Sequence, residues 1–223
     1  MILSIDTTSE FGSIALTDAS HIVEELALHA PDGFGHVLFQ HVQDLLDRNG
    51  LVIHQLDGLA AATGPGSFTG VRVGLTAAKG LAEAAGKRMV GVSNLRALAS
   101  FGSAALRVPV IDARRGEVYA AVYDQRLEIV LPEAVMPLDA WLTAIAKQSG
   151  SFEFISFESL AGLPISPTIA SRSLAAAIGR IAADEFAQGR AHDPAEIDAN
   201  YVRRSDAELF WKDASESSRM KIR

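Results

Sequence analysis

The chain contains no cysteine, which excludes a disulfide framework, a thiolate metal site and a cysteine nucleophile. The redox compartment therefore cannot be read from it. No Gly-Gly pair occurs either, and there is no Gly-x-Ser-x-Gly elbow. In the run Gly64-Pro65-Gly66-Ser67-Phe68-Thr69-Gly70 the serine directly follows a glycine, so the turn that exposes a hydrolase serine is not encoded. The chain lacks a dense lysine and arginine stripe and carries a formal net charge of −7, which argues against this surface alone holding a nucleic-acid backbone. Met1-Ile-Leu-Ser-Ile-Asp6 has no basic region and breaks its apolar run at an acid. Neither a signal peptide nor a membrane span is expected there, and a cytoplasmic protein is the default expectation. What is present is apolar material: 48% of 223 residues are hydrophobic, enough to fill the core of one large domain or two small ones.

Hydrophobic alternation between turn residues predicts three short strands, Ile2 to Ile5, Ser13 to Thr17 and Ile22 to Leu28, forming an antiparallel meander. A helix from about Val37 to Arg48 follows, stopped by Asn49-Gly50. Leu56 to Thr63 reads as a buried strand, the glycine-rich run as a loop, and Val71 to Ala85 as a helix. Met89 to Val92 is a further strand and Asn94 to Ala99 a short helix. After Phe101-Gly102-Ser103 the alternation restarts, with strands over Arg107 to Ile111, Val118 to Tyr123, Leu127 to Met136 and Phe152 to Phe157. Helices are predicted over Leu138 to Lys147 and Ser171 to Gln188, and Ala207 to Arg223 is polar without a period. The order of elements, rather than any legible sequence repeat, predicts a duplicated α/β protein with lobes 1–103 and 104–223.

The glycine-rich run joins a strand to a helix, a place where free amides favour anions. Two readings stay open there: a structural loop in which Ser67 or Thr69 caps the helix, which the pattern favours, and an anion site. A P-loop requires Lys followed by Ser or Thr after its last glycine, and Val71-Arg72 stands there instead. Asp6-Thr7-Thr8 ends the first strand, where a carboxylate and hydroxyls suit a metal-phosphate group of the sugar-kinase, actin and Hsp70 type. Asp6, Thr7, Thr8, Gly64, Gly66 and Ser67 are accordingly the candidate phosphate-site residues. Such enzymes need a second glycine-rich loop in the second lobe, and the matching turn here is Asp112-Ala-Arg-Arg-Gly116-Glu117. No catalytic residue and no cofactor are expected, and the competing reading is a stand-alone ATPase or hydrolase using the N-terminal loop. His29, His36 and His41 invite a metal reading, but positions 36 and 41 fall roughly 140° apart on a helix, so no metal site is expected. Gly70, Gly74, Ala77 and Ala78 make a small-residue face that admits a close neighbour, either the first helix or a helix of another subunit.

Several of these strings together resemble the TsaB (YeaZ) family: Ile2-Leu-Ser-Ile-Asp6-Thr7-Thr8, Gly64 to Gly74, Gly91-Val-Ser-Asn-Leu95, Asp112-Ala-Arg-Arg-Gly116-Glu-Val-Tyr119 and Asn200-Tyr-Val-Arg203. The resemblance implies an actin/Hsp70-like two-lobed fold that has lost its own catalysis, leaving its phosphate site vestigial. It implies a heterodimer with a larger paralogue, TsaD, which carries the metal and transfers a threonylcarbamoyl group to adenosine 37 of tRNAs reading codons that start with A. TsaE, an ATPase, completes that assembly, and tRNA is reached through the complex. Whether the isolated chain forms a homodimer stays open. The partner surface is expected on the two N-terminal helices, at Phe34, Phe39, Gly70, Arg72, Gly74, Ala77 and Ala78. Many family members carry a His-Ser at the start of the first helix, and Phe34-Gly35 stands in its place with His36 displaced.

Overall fold

The structure, a computed structural model, describes residues 1–19, 21–148 and 150–202. The polar run from Ala207 to Arg223 and the Arg203-Arg204 pair lie outside the described residues. Strands β1 (Ile2–Asp6), β2 (Phe11–Asp18) and β3 (His21–His29) form the expected meander. Helix α1 (Leu38–Arg48), strand β4 (Gly58–Ala62), helix α2 (Phe68–Ala85), strand β5 (Met89–Val92) and helix α3 (Asn94–Ala99) complete the first unit. The second contains β6 (Leu106–Arg114), β7 (Glu117–Asp124), β8 (Ile129–Pro137), α4 (Leu138–Ile145), β9 (Phe152–Ser156), β10 (Thr168–Ile169) and α5 (Ala175–Ala187). No strand is predicted over the two residues of β10, because pairing with Ile155 and Ser156 rather than any apolar pattern defines it.

The duplication expected from element order is expressed in the sheets. The first runs β3-β2-β1-β4-β5, and the second, taken in the same sense, runs β8-β7-β6-β9-β10. In each, the first strand pairs antiparallel with the second and parallel with the fourth. Strand alternation sends Leu3, Ile5, Ile14 and Leu16 to one face of the first sheet, where they meet Leu38, Val42 and Leu45 of α1 and Leu75 and Ala78 of α2. Ile2, Ala60, Ala62 and Val90 point the other way, onto Ile178, Ile181 and Ala182 of α5.

Helix α5 lies far along the chain yet covers the first sheet. It begins at Ala175, later than the predicted Ser171, and Leu174 gives it no side-chain cap. Sheet side chains satisfy its first amides instead: Ala175 N donates to Ser13 Oγ at 2.9 Å and Ala176 N to Glu25 Oε1 at 2.9 Å. Its close approach is built on glycine. A Cβ at Gly179 would lie 2.7 Å from Thr17, and one at Gly58 would lie 2.0 Å from the Phe186 ring. The boundary expected at residue 103 falls between α3 and β6, in the connection between the sheets, and α5 joins the first sheet across it. Among the described residues no helix is long and apolar enough to cross a membrane.

Candidate functional site

A cleft of about 610 Å³ opens between the two sheets, with Asp6, Thr8 and Asn94 among its walls on the first-lobe side and Asp112, Arg114 and Arg172 among those opposite. Because β1 and β6 hold the same place in their sheets, the Asp6 turn and the Asp112 turn occupy corresponding positions. Asp6 is buried. Its Oδ1 accepts from Thr8 N at 2.9 Å and from Thr8 Oγ1 at 2.7 Å. Asn94, the first residue of α3, donates from Nδ2 to Thr8 Oγ1 at 2.7 Å and accepts from Gly64 N at 2.9 Å through Oδ1. Burial pushes the Asp6 carboxyl above the ordinary carboxylate range, while the bonds from Thr8 and the Asn94 side chain pull it back.

The loop between β4 and α2 is bound into the same network, and its Gly64-Pro65 bond is cis. Of the two capping candidates Ser67 takes the role, with its Oγ accepting from Gly70 N at 3.3 Å. Ser67 N donates to Thr8 O at 2.6 Å. Three loop amides, those of Gly64, Ser67 and Gly70, are thus spent within the chain rather than offered to an anion. Thr7 is buried and donates from Oγ1 to Gly70 O at 2.7 Å. The second-lobe turn is a tight hairpin in which Arg114, Arg115 and Gly116 all have positive φ. Arg114 N is held by Asp112 Oδ1 at 2.8 Å. The cleft therefore gathers Asp6, Thr8, Gly66 and Ser67 of the predicted phosphate-site residues, while Thr7 faces α2.

The predicted partner residues separate more sharply. Phe39 is 56% exposed, but Phe34, expected beside it, is 2% exposed in the core, its ring against Gly12. At Gly70 and Gly74 the space that a side chain would take is filled from within the chain. A Cβ at Gly70 would stand 2.1 Å from Thr7 O, and one at Gly74 would stand 2.3 Å from Thr7 Oγ1. The chain's own β1 terminus fills that space. Ala78 is wholly buried under the first sheet and Ala77 nearly so. What remains at the surface is a groove of about 480 Å³ between α1 and α2, lined chiefly by Leu38, Phe39, Phe68, Arg72, Val73 and Ala77. Phe68 is 46% exposed, and the Arg72 guanidinium lies 3.8 Å from its ring centroid.

Sequence reasoning missed Asn94 as the hub of the cleft network, and it missed Phe68 as a groove residue. A polar side chain opening a short apolar helix was the available signal for Asn94. Phe68 was counted within the loop, whereas it is the first residue of α2. His29, by contrast, stacks on Phe11 with ring centroids 4.7 Å apart. Among the described residues no group of three His, Asp or Glu comes together in a metal-holding arrangement.

A family model described as TsaD: tRNA N6-adenosine threonylcarbamoyltransferase matches residues 32–188, well over half of the chain. The tRNA threonylcarbamoyladenosine biosynthesis protein TsaB of Escherichia coli strain K12 is 41% identical over 128 residues, and the match covers 56% of this chain and 55% of that relative. The protein of the same name from Bacillus subtilis strain 168 is 32% identical over 162 residues, covering 70% of this chain and 71% of the relative. Among solved structures, YeaZ from Pseudomonas aeruginosa superposes with a TM-score of 0.76 at 26% identity, covering 90% of this chain and 98% of that one. The fold is thus the two-lobed, degenerate duplicated α/β arrangement of the actin/Hsp70 type. With the glycine-rich loop, the duplicated sheets and these likenesses together, the chain belongs to the TsaB (YeaZ) family, within the wider group that the TsaD family model describes.

Proposed function

We propose that this chain is a non-catalytic partner in the synthesis of threonylcarbamoyladenosine in tRNA, acting in the cytoplasm by binding TsaD through the α1/α2 groove, with TsaE completing the assembly. The observation that carries this reading is the groove, where Phe39, Phe68 and Arg72 stand exposed around an apolar hollow between the two helices. Aromatic and arginine side chains around an apolar hollow are the usual anchors of a protein interface. The names of the bacterial relatives support the pathway. The internal use of Thr8, Asn94 and the loop amides supports a scaffold role, since groups already bonded to one another are not presented to a substrate. A scaffold acts by binding the competent state of its partner more tightly than the idle one.

Reconstitution tests the reading. With TsaD, TsaE, tRNA and a source of threonylcarbamoyl-adenylate, modification is expected to rise with added chain and level off near one equivalent. Full modification without the chain would sink the proposal. Nucleotide hydrolysis by the isolated chain that disappears in Asp6→Asn would favour the stand-alone enzyme.

A further inference from the structure

Two consecutive residues beyond α5 tie the second lobe to the α1/α2 groove. Asn200 is half-buried, and its N donates to Thr63 O, just past the end of β4, at 2.8 Å. Its Nδ2 donates to Glu133 Oε2 on β8 at 2.5 Å. Glu133 is itself fixed, because its Oε1 accepts from the hydroxyl of Tyr123, a side chain buried in the second lobe, at 2.5 Å. Tyr201 follows directly and is 49% exposed. Its hydroxyl accepts from Arg72 Nε at 3.0 Å, and its ring centroid lies 5.8 Å from that of Phe68. Tyr201 N donates to Ala199 O at 3.1 Å and Val202 N to Asn200 O at 3.0 Å, so the segment is folded into two successive tight turns. Beyond Arg72, on the side away from the groove, lies a second hollow of about 480 Å³ that Arg72 shares with Lys79, Asp198 and Tyr201.

We propose that Tyr201 is a positioning residue of the groove, holding the Arg72 guanidinium over Phe68, and that Glu133 of the second lobe sets Tyr201 through Asn200. Arginine is rich in rotamers, and ordering such a side chain before a partner arrives removes an entropy cost from association. Stacking on Phe68 alone leaves the guanidinium free to turn in the plane of the ring. The Tyr201 hydroxyl adds a directed bond to Nε, and without it the neighbouring hollow is open to the side chain. Asn200 and Tyr201 share a peptide bond, so a displaced Asn200 carries the ring with it. The groove rim is thus built by both lobes, although α1 and α2 belong to the first alone. The consequence for TsaD rests on the proposed function; the ordering of Arg72 does not.

Nitrogen-15 relaxation at the Arg72 Nε of the full chain, assigned by its loss in Arg72→Lys, tests this. The wild type is expected to be rigid there and Tyr201→Phe mobile, with the urea midpoint unchanged because the ring is kept. Equal order in the two overturns the proposal. Asn200→Asp sets one carboxylate against another and should loosen Arg72, a residue it does not touch. Adding Glu133→Gln keeps an oxygen for the Tyr123 hydroxyl and supplies an amide that donates to the new carboxylate, so the double variant should regain the wild-type order. Asn200→Ala removes the same bond without a charge and takes the place of Asn200→Asp should that variant fail to fold. A rigid Arg72 in the single variant, or a double variant as loose as the single, overturns the role of Glu133. In calorimetric titration Tyr201→Phe should bind TsaD roughly two- to tenfold more weakly, the cost of ordering one such side chain. Unchanged affinity with a loosened Arg72 overturns the role of Tyr201 in the groove. Should the wild type not bind TsaD at all, the functional reading fails while the relaxation at Arg72 still decides what orders it.

Discussion

Thr7 explains why glycine stands at both position 70 and position 74. Its carbonyl faces one and its hydroxyl the other, so the two clashes differ in kind. Gly70→Ala would press on backbone and is expected to cost about 1–3 kcal/mol, like other overpacked sites. Gly74→Ala meets a side-chain atom, and combining it with Thr7→Ala should recover part of its loss in urea unfolding, whereas Gly70→Ala should gain nothing from Thr7→Ala. The two phenylalanines form a second contrast. Phe39→Asp lies at an exposed site and should leave stability within about 0.5 kcal/mol, while abolishing capture of TsaD. Phe34→Asp places a charge in the core and should prevent folding. At Asp6 the carboxyl is held above its ordinary value near 3.8. The folded state therefore holds this proton more tightly than the unfolded one, so the stabilisation is full below that value and is lost as pH rises through the folded pKa. Asp6→Asn keeps an acceptor for Thr8. Its urea midpoint should gain on the wild type over that pH window and then hold a constant lead.

At the scale of elements, the placement of α5 depends on two glycine contacts and on a carboxylate near its end. Glu185 accepts from Arg96 of α3 at 2.8 Å and from Arg190 at 2.5 Å, and these bonds hold its carboxyl below the ordinary range, Arg190 contributing most. Here the sign is opposite to that of Asp6. The stabilisation is present above the unfolded value near 4.5 and is lost as pH falls through the folded pKa. Glu185→Gln should therefore flatten part of the acid limb of stability against pH, measured by denaturant unfolding from neutral pH down through the range below 4.5. Gly179→Ala adds a methyl against Thr17 and Ser4 on the sheet. It should cost about 1–3 kcal/mol despite alanine's better helix propensity, because the overlap outweighs the gain of roughly 1 kcal/mol from replacing glycine.

For the whole molecule, the duplicated sheets place two corresponding strand ends across one cleft, yet the two turns differ. The first lobe spends Asp6 on Thr8 and Thr8 on Asn94, and the second presents a tight Arg115-Gly116 hairpin in place of a glycine-rich loop. In the proposed reading the working surface is the α1/α2 groove rather than the cleft. In the proposed assembly, Phe68→Asp should lower the plateau of tRNA modification or require a large excess of chain to reach it. Asp6→Asn should reach the wild-type plateau at the same stoichiometry. A normal requirement for the first variant together with a lost plateau for the second would return the function to the cleft.

The order of the elements apart from β10, the strands β1 to β5, the helix α3 bounds and a cap at Ser67 or Thr69 were legible in the sequence, because apolar period and turn chemistry act over a few neighbouring residues. Motif strings likewise sufficed to suggest the family. The tertiary structure alone decided what occupies the space that glycine opens: at Gly70 and Gly74 the neighbour is Thr7, more than sixty positions away in the chain. It also buried Phe34 while leaving Phe39 exposed, a choice that turns on which side of the α1 entry each ring leaves the backbone. Asn94 became a hub only when α3 was brought to the end of β1, and α5 covered the first sheet only because glycines at 58 and 179 let it approach. Local periodicity carries the identity of each element; contacts between distant residues depend on shape, and shape exists only once the elements are packed.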